Sequence, residues 1–174
     1  MGVSDADPDF EEFVRAEGSA LVRFAFLLSG DEAGAHDLVQ SALTTAFLRW
    51  SSIDAAKAGA YVRRCIVNGH RAAWRSWGRR VLLGDRVADG AGGDPYSAVD
   101  ERSVLSASLR ALPYRRRLVV VCRYYLGLTE RETSDLTGMS LGTVKSHAHR
   151  GLQELRRSLR DSSEDETEET VDVE

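Results

Sequence analysis

Between Thr143 and Arg157 the sequence reads TVKSHAHRGLQELRR, with hydroxyl, ammonium, imidazole and guanidinium groups and no acid before Glu154. On a helix, Thr143, Lys145, Ser146, His149 and Arg150 fall outward, with Arg156 and Arg157 further along. Such side chains donate to phosphate oxygens and base edges, so the chemistry on offer is binding rather than bond-making. A plainer reading is a helical hairpin packed on other structure, with a solvated basic face. A second set lies between Tyr61 and Arg80 (YVRRCIVNGHRAAWRSWGRR), where Arg63, Arg64, Arg71, Arg75, Arg79 and Arg80 interleave with Trp74 and Trp77, again without an acid. Cations that track a backbone and rings that stack on bases suit single-stranded nucleic acid. The plainer reading here puts both tryptophans in a small core and the arginines in water.

Catalytic and metal chemistry have no comparable support. No nucleophile, base and orienting group come together in sequence, and His36, His70, His147 and His149 lack coherent ligand spacing. Cys65 and Cys122 stand alone in apolar stretches, which reads as two small buried hydrophobes; a reducing cytoplasm disfavours a disulfide between them. The expectation is no enzyme activity, no cofactor and no metal.

The elements that must carry these residues are helical. Apolar residues recur at Phe13, Leu21, Phe24 and Leu28, and that helix stops at Ser29-Gly30. A second helix is expected from Asp31 to about Trp50, with Leu38, Ala42, Leu43, Ala46 and Phe47 inward. A third is expected from about Ala55 to Trp77 over Tyr61, Val62, Cys65 and Ile66, with Gly78 closing the first bundle. Gly84 to Asp94 (GDRVADGAGGD) has no periodicity and reads as a flexible linker. Beyond it Tyr96 to Leu112 is amphipathic, Pro113 opens the next helix, and Gly127 caps its end. Thr129 and Glu132 form a capping box, Gly138-Met139-Ser140 a tight turn, and Ser140 a second N-cap. The last helix then buries Leu141, Val144, Ala148, Leu152, Leu155 and Leu159. Helix, short turn and helix is the geometry that lays a second helix in the major groove. The fold class is all-α, with two small helical domains on a tether.

The 174-residue chain has a formal net charge of −4, the wrong sign for a DNA binder until the charge is mapped. Asp161 to Glu174 holds eight acids and no base; without that segment the remainder stands at +4. An acidic tail without aromatics is expected to stay disordered, either competing with DNA for the basic patches or simply solubilising the chain. The acidic N-terminus lacks a signal pattern and no apolar run is long enough for a bilayer, so no membrane insertion and a cytoplasmic location are expected.

Leu112 to Arg157, and Gly142-Thr143-Val144-Lys145-Ser146 above all, resembles region four of the extracytoplasmic-function (ECF) sigma factors, detachable specificity subunits of bacterial RNA polymerase. The resemblance implies that the recognition helix contacts the minus-thirty-five promoter element. Tyr61 to Arg80 is similar to the part of region two that melts and reads the minus-ten element, which places Arg64, Asn68, Arg71 and Arg75 on promoter DNA. It also makes Ser51 to Gly59 the loop that captures a flipped base. Asp37-Leu38-Val39-Gln40 matches the family's D-L-V-Q piece, so Asp37, Leu38 and Gln40 are implied contacts to core RNA polymerase. Departures are His147, where the family often has Arg, and Ala72, where Asp is common. The implied organisation is region two over 8–80, a linker over 81–97, region four over 98–160 and the acidic tail over 161–174. The implied partners are core RNA polymerase, promoter DNA and an anti-sigma factor, and the implied regulon is one of stress or envelope response. Two rivals stand beside this reading. A response-regulator-type transcription factor would need a βα receiver upstream, which the first half does not show; a helical adaptor would bind proteins through the same basic faces.

Overall fold

A computed structural model of the chain describes the backbone of residues 8–82 and 101–168, with the side chains of 9–75 and 104–162. The described residues are helical, with no strand among them. The chain divides into two compact units, Met1–Ala91 and Gly92–Glu174.

In the first unit α1 (Pro8–Ser29), α2 (Glu32–Phe47) and α3 (Ala58–Leu82) form a bundle in which α2 packs against both neighbours. Asp31 starts α2 by accepting the Gly34 amide at 2.6 Å, which satisfies one of the four free N–H groups of a helix start. The core is Leu21, Phe24 and Leu28 from α1, Ala35, Val39, Ala42 and Ala46 from α2, and Val62, Ile66 and Val67 from α3. Each of the larger side chains contributes roughly 1.5–3 kcal/mol by leaving water. The alanines of α2 keep that helix thin where it lies between the other two. Phe47 is only partly buried, because it belongs to a separate aromatic cluster. Phe10 meets Phe47 at 5.1 Å and Trp50 at 5.0 Å, and Phe13 meets Trp50 at 5.2 Å. Those rings pin the start of the 48–57 connection to α1. Two 3-10 turns, Trp50–Ser52 and Ala55–Lys57, then lead into α3.

In the second unit α4 (Glu101–Ala111), α5 (Tyr114–Val120), α6 (Glu130–Thr137) and α7 (Leu141–Glu168) surround Leu109, Leu112, Leu118, Val119, Val120, Val144, Ala148 and Leu155. Between α5 and α6 the backbone widens into a π-turn, Val121–Tyr125, with the Leu126 amide bonded to the Val121 carbonyl at 3.1 Å. Gly127 follows with φ +67°. The Arg123 guanidinium donates to the Leu128 carbonyl and ties this corner shut. Gly151 sets the approach of α5 and α7: a Cβ there would stand 2.6 Å from Val120 Cγ2 and 3.4 Å from Arg116 Cβ. Arg116 and Glu154 close the same interface with an ion pair.

Several expectations need correction. Gly78 does not end α3, which runs on to Leu82; one glycine costs a helix only about 1 kcal/mol. The last helix does not stop near Arg160 but continues through Glu168, well into the acidic segment expected to be unstructured. Extending an existing helix is far easier than nucleating one, and the Ser162 hydroxyl bonds back to the Ser158 carbonyl at 2.9 Å. The acids past 168 lie outside the described residues, as do the Gly-rich stretch 84–94 and residues 96–100. Leu141, expected inward, is 42% exposed, and burial on α7 begins with Val144, one turn further on. Cys65 and Cys122 are free thiols in different units; burial raises both, pushing Cys122 up to about 12.

Candidate nucleic-acid interface

The helix-turn-helix of the second unit is built by caps. The Thr129 hydroxyl accepts the Glu132 amide at 3.2 Å while the Glu132 carboxylate accepts the Thr129 amide at 2.7 Å, so two free N–H groups are satisfied reciprocally. The Thr129 hydroxyl also donates to the Glu132 carboxylate at 2.7 Å, and that bond, with the one from the Thr129 amide, holds the carboxyl below its ordinary range. Gly138 ends α6 at φ +70°, a left-handed conformation that favours glycine. The Ser134 hydroxyl donates to the Met139 carbonyl at 2.6 Å and fixes the turn, and Ser140 then accepts the Thr143 amide at 3.3 Å. Val119, Val144 and Ala148, with Met139 against them, join α5 to α7.

At about 100° per residue, Val144, Ala148, Gly151 and Leu155 fall within one arc of α7. All four are buried. Lys145, Ser146, His149 and Arg150 occupy the opposite arc, with Thr143 at its flank. Lys145, His149 and Arg150 are exposed; Thr143 and Ser146 are partly covered. All five residues expected to read DNA are therefore on one side of one helix. They are not equally available. The Thr143 hydroxyl lies 2.8 Å from that of Ser140, within the cap, and the Lys145 ammonium lies 3.6 Å from a Glu130 carboxylate oxygen. A Cβ on Gly142 would meet nothing within 4 Å, so the bare backbone opens onto the same side.

His147 faces another way. It is partly buried, and burial followed by Arg116, Arg115 and Arg150 holds its imidazole below the ordinary value of 6.5. Sequence reasoning missed this meeting of α5 arginines with the flank of the recognition helix, and it missed the Glu130–Lys145 pair. Both depend on helix packing, and no local pattern reports them.

In the first unit, Arg64, Asn68, Arg71 and Arg75 are spaced by four, three and four, one stripe of α3, away from buried Val62, Ile66 and His70. Arg64, Asn68 and Arg75 are exposed and Arg71 is partly so. Neighbouring Arg63 is engaged instead with Glu17 of α1 at 3.8 Å. Trp74 is 42% exposed, so the expectation of a core tryptophan fails for it; the Trp77 side chain lies outside the described residues.

On α2, Asp37 and Gln40 are exposed and share a face opposite Ala35, Val39, Ala42 and Ala46. Leu38 does not join them. It is partly buried toward α3, its Cδ2 being 3.3 Å from where a Gly69 Cβ would stand. Beside Gln40 a groove of about 810 Å³ runs between α1 and α2 over Phe10, Val14, Val39, Leu43 and Phe47.

Among the described residues no cluster of His, Cys, Asp or Glu could hold a metal ion, and no helix is long and apolar enough to cross a membrane.

Comparison with known proteins follows the same division. Residues 13–80 match the family model described as Sigma-70 region 2, and residues 102–155 the model described as Sigma-70, region 4. Over 152 residues the chain is 37% identical to the RNA polymerase sigma-E factor of Streptomyces avermitilis, covering 87% of this chain and 85% of that protein. It is 30% identical over 165 residues to the ECF RNA polymerase sigma factor SigE of Mycolicibacterium smegmatis, covering 91% of this chain and 64% of that one. Among solved structures it resembles the sigma factor RpoE of Bartonella quintana, determined in complex with the anti-sigma factor NepR. The TM-score is 0.73 and the identity 24%, over 88% of this chain and 98% of that chain; at that identity the likeness is one of fold.

Proposed function

Because the chain belongs to the ECF group of the sigma-70 family, whose members are the promoter-specificity subunits of bacterial RNA polymerase, we propose that its two basic helical faces divide promoter recognition between them. The chain binds core RNA polymerase and directs initiation at promoters. In this reading residues 98–160 read the minus-thirty-five element as duplex, through Thr143, Lys145, Ser146, His149 and Arg150. Residues 8–80 hold the minus-ten element through Arg64, Asn68, Arg71 and Arg75, with Ser51 to Gly59 as the loop that takes a flipped base. Residues 81–97 serve as the tether.

The observation that carries the proposal is the pair of arcs. Each unit keeps its apolar residues on one side of a helix and an acid-free set of donors on the other. Each face alone binds modestly, and mounting both on one polymerase raises the effective concentration of the second contact. Asp37 and Gln40, with the groove beside Gln40, supply a polar rim and an apolar floor for the polymerase helices. Leu38 contributes there by packing α2 on α3. The family's role is one of binding, and none of the assigned residues is asked to make or break a bond. A cytoplasmic location follows from work on chromosomal promoters. An anti-sigma factor that covers these faces is part of the proposal, supported by the relative captured with one.

Substitution separates the two hands. Arg150→Ala should weaken holoenzyme binding to a closed promoter by the roughly 1–3 kcal/mol of one good base or phosphate contact. Asn68→Ala should spare closed binding and slow strand opening. Identical defects from both variants at both stages would refute the division.

A further inference from the structure

On α7 His147 stands in the seam between the buried arc and the recognition arc. At about 100° per residue it lies about 60° around the axis from Arg150 on one side and about 40° from Gly151 on the other. Gly151 is where α5 comes close: a Cβ there would stand 3.4 Å from Arg116 Cβ and 3.5 Å from the Arg116 carbonyl oxygen. The seam therefore brings cations of α5 to the edge of the recognition helix. The charged groups that act on the imidazole are Arg116 and Arg115 of α5 and Arg150 of its own helix. Arg116 is engaged with Glu154. Arg115 and Arg150 are exposed, and neither pairs with a carboxylate among the described residues. The other helices packed on α7 direct their charges elsewhere. On α6, Glu130 meets Lys145, Arg131 meets Asp135 and Glu132 serves its own cap, while Arg110 of α4 acts on Arg117. The imidazole is partly buried, and its Nδ1 is enclosed without a hydrogen-bond partner among the described residues. Burial, then the three guanidinium groups, hold it neutral near pH 7.

We propose that His147, Arg115 and Arg150 form a proton-linked site for one backbone phosphate of the promoter duplex, so that binding DNA charges His147. The inference rests on the α7 arc being a DNA-reading face and adds a site at its flank that includes α5. Arg150 belongs to both, so a duplex lying on the arc presents its sugar-phosphate wall to the seam. Groups at the flank of a helix in the major groove meet that wall rather than base edges. In the free chain the guanidinium groups oppose a further cation. A phosphodiester between them carries a full negative charge, reverses that field and draws a proton from solvent onto the imidazole. The protonated ring donates from both nitrogens, whereas the neutral ring donates from one. The imidazole holds its proton more tightly in the complex than in the free chain. DNA affinity therefore rises as pH falls, and the gain is lost as pH climbs past the value in the complex.

The test uses holoenzyme assembled from the full chain and core polymerase, on a promoter duplex, with affinity measured from about pH 8 down to about pH 5.5. The parent should bind about five- to ten-fold more tightly at the acid end, the equivalent of a little under one pKa unit. His147→Gln should lose most of that gain, and His147→Arg should hold the tighter affinity across the whole range. Exposed His149 on the arc can add a slope of its own, so the His147 share is the difference between the parent and His147→Gln. Replacing single phosphates of the duplex by uncharged methylphosphonate should abolish that difference at one position. Arg115→Gln should reduce the salt dependence by about one phosphate contact. A His147→Gln variant with the parent's full pH slope would overturn the proposal. So would a difference that survives every single-phosphate replacement, because the proton would then be taken up away from DNA. Holoenzyme that does not prefer promoter over unrelated duplex at any pH would instead sink the promoter reading of the arc, so the two failures are distinguishable.

Discussion

Thr133 offers a stringent check on the packing of the DNA-reading unit. The residue is 0% exposed, and its hydroxyl meets no hydrogen-bond partner among the described residues. The nearby Thr137 hydroxyl already donates to the Thr133 carbonyl at 2.7 Å. Thr133→Val keeps the branched shape and removes only the polar atom. A buried hydroxyl without a partner costs about 1–3 kcal/mol by mutational measures, and the helix propensities of Thr and Val are nearly equal. We expect the second unit to gain about 1–2 kcal/mol, which for a domain of this size raises its midpoint by roughly 4–8 °C per kcal/mol. Trp50, Trp74 and Trp77 all lie in the first unit, so tryptophan fluorescence would report on the wrong half. Hydrogen exchange at the α6 and α7 amides reads the right one. Slower exchange there, with α1–α3 unchanged and DNA affinity retained, is the expected result. A variant less stable than the parent would show that the hydroxyl has a partner and that the packing around α6 is misjudged.

Glu130→Gln should free the Lys145 ammonium and remove an acid beside the recognition helix. DNA affinity at low salt should rise and its salt dependence steepen by about one phosphate contact, while stability changes by less than about 1 kcal/mol. Unchanged or weaker binding, measured by anisotropy across a salt series, would contradict this. His147 makes the second unit pH-sensitive. Its imidazole is held low when folded, so as pH falls the unfolded chain takes up the proton first and stability is lost between 6.5 and the lower folded value. His147→Gln should flatten that slope in denaturant midpoints measured across the window; an unchanged slope would assign it to another group.

Much of this arrangement is legible locally. The Thr129–Glu132 box, Asp31, Ser140 and the glycines at 30, 127 and 138 act on their own few residues, so their types announce the helix ends. The recognition arc is legible because Val144, Ala148 and Leu155 keep helical spacing against one partner. What escaped the sequence depends on neighbours far along the chain. The π-turn at Val121–Tyr125 arises where α5 must turn toward α6, and no residue type specifies it. Whether Trp74 is core or surface depends on where α1 and α2 stop. Lys145 reads as a free cation until α6 is folded beside it with Glu130. The acidic composition after Arg160 argues against a stable isolated helix, yet residues 161–168 continue one that begins at Leu141.

The most direct measurement is run-off transcription with purified core polymerase and a pool of genomic templates, with the chain added or withheld and transcript 5′ ends mapped. Transcripts should begin at a discrete set of sites only when the chain is present, behind two shared upstream sequence elements, and Arg150→Ala and Asn68→Ala should each abolish most of them. Initiation that is unchanged by the chain on every template, or that needs it but shows no shared upstream elements, would contradict its role as a promoter-specificity subunit.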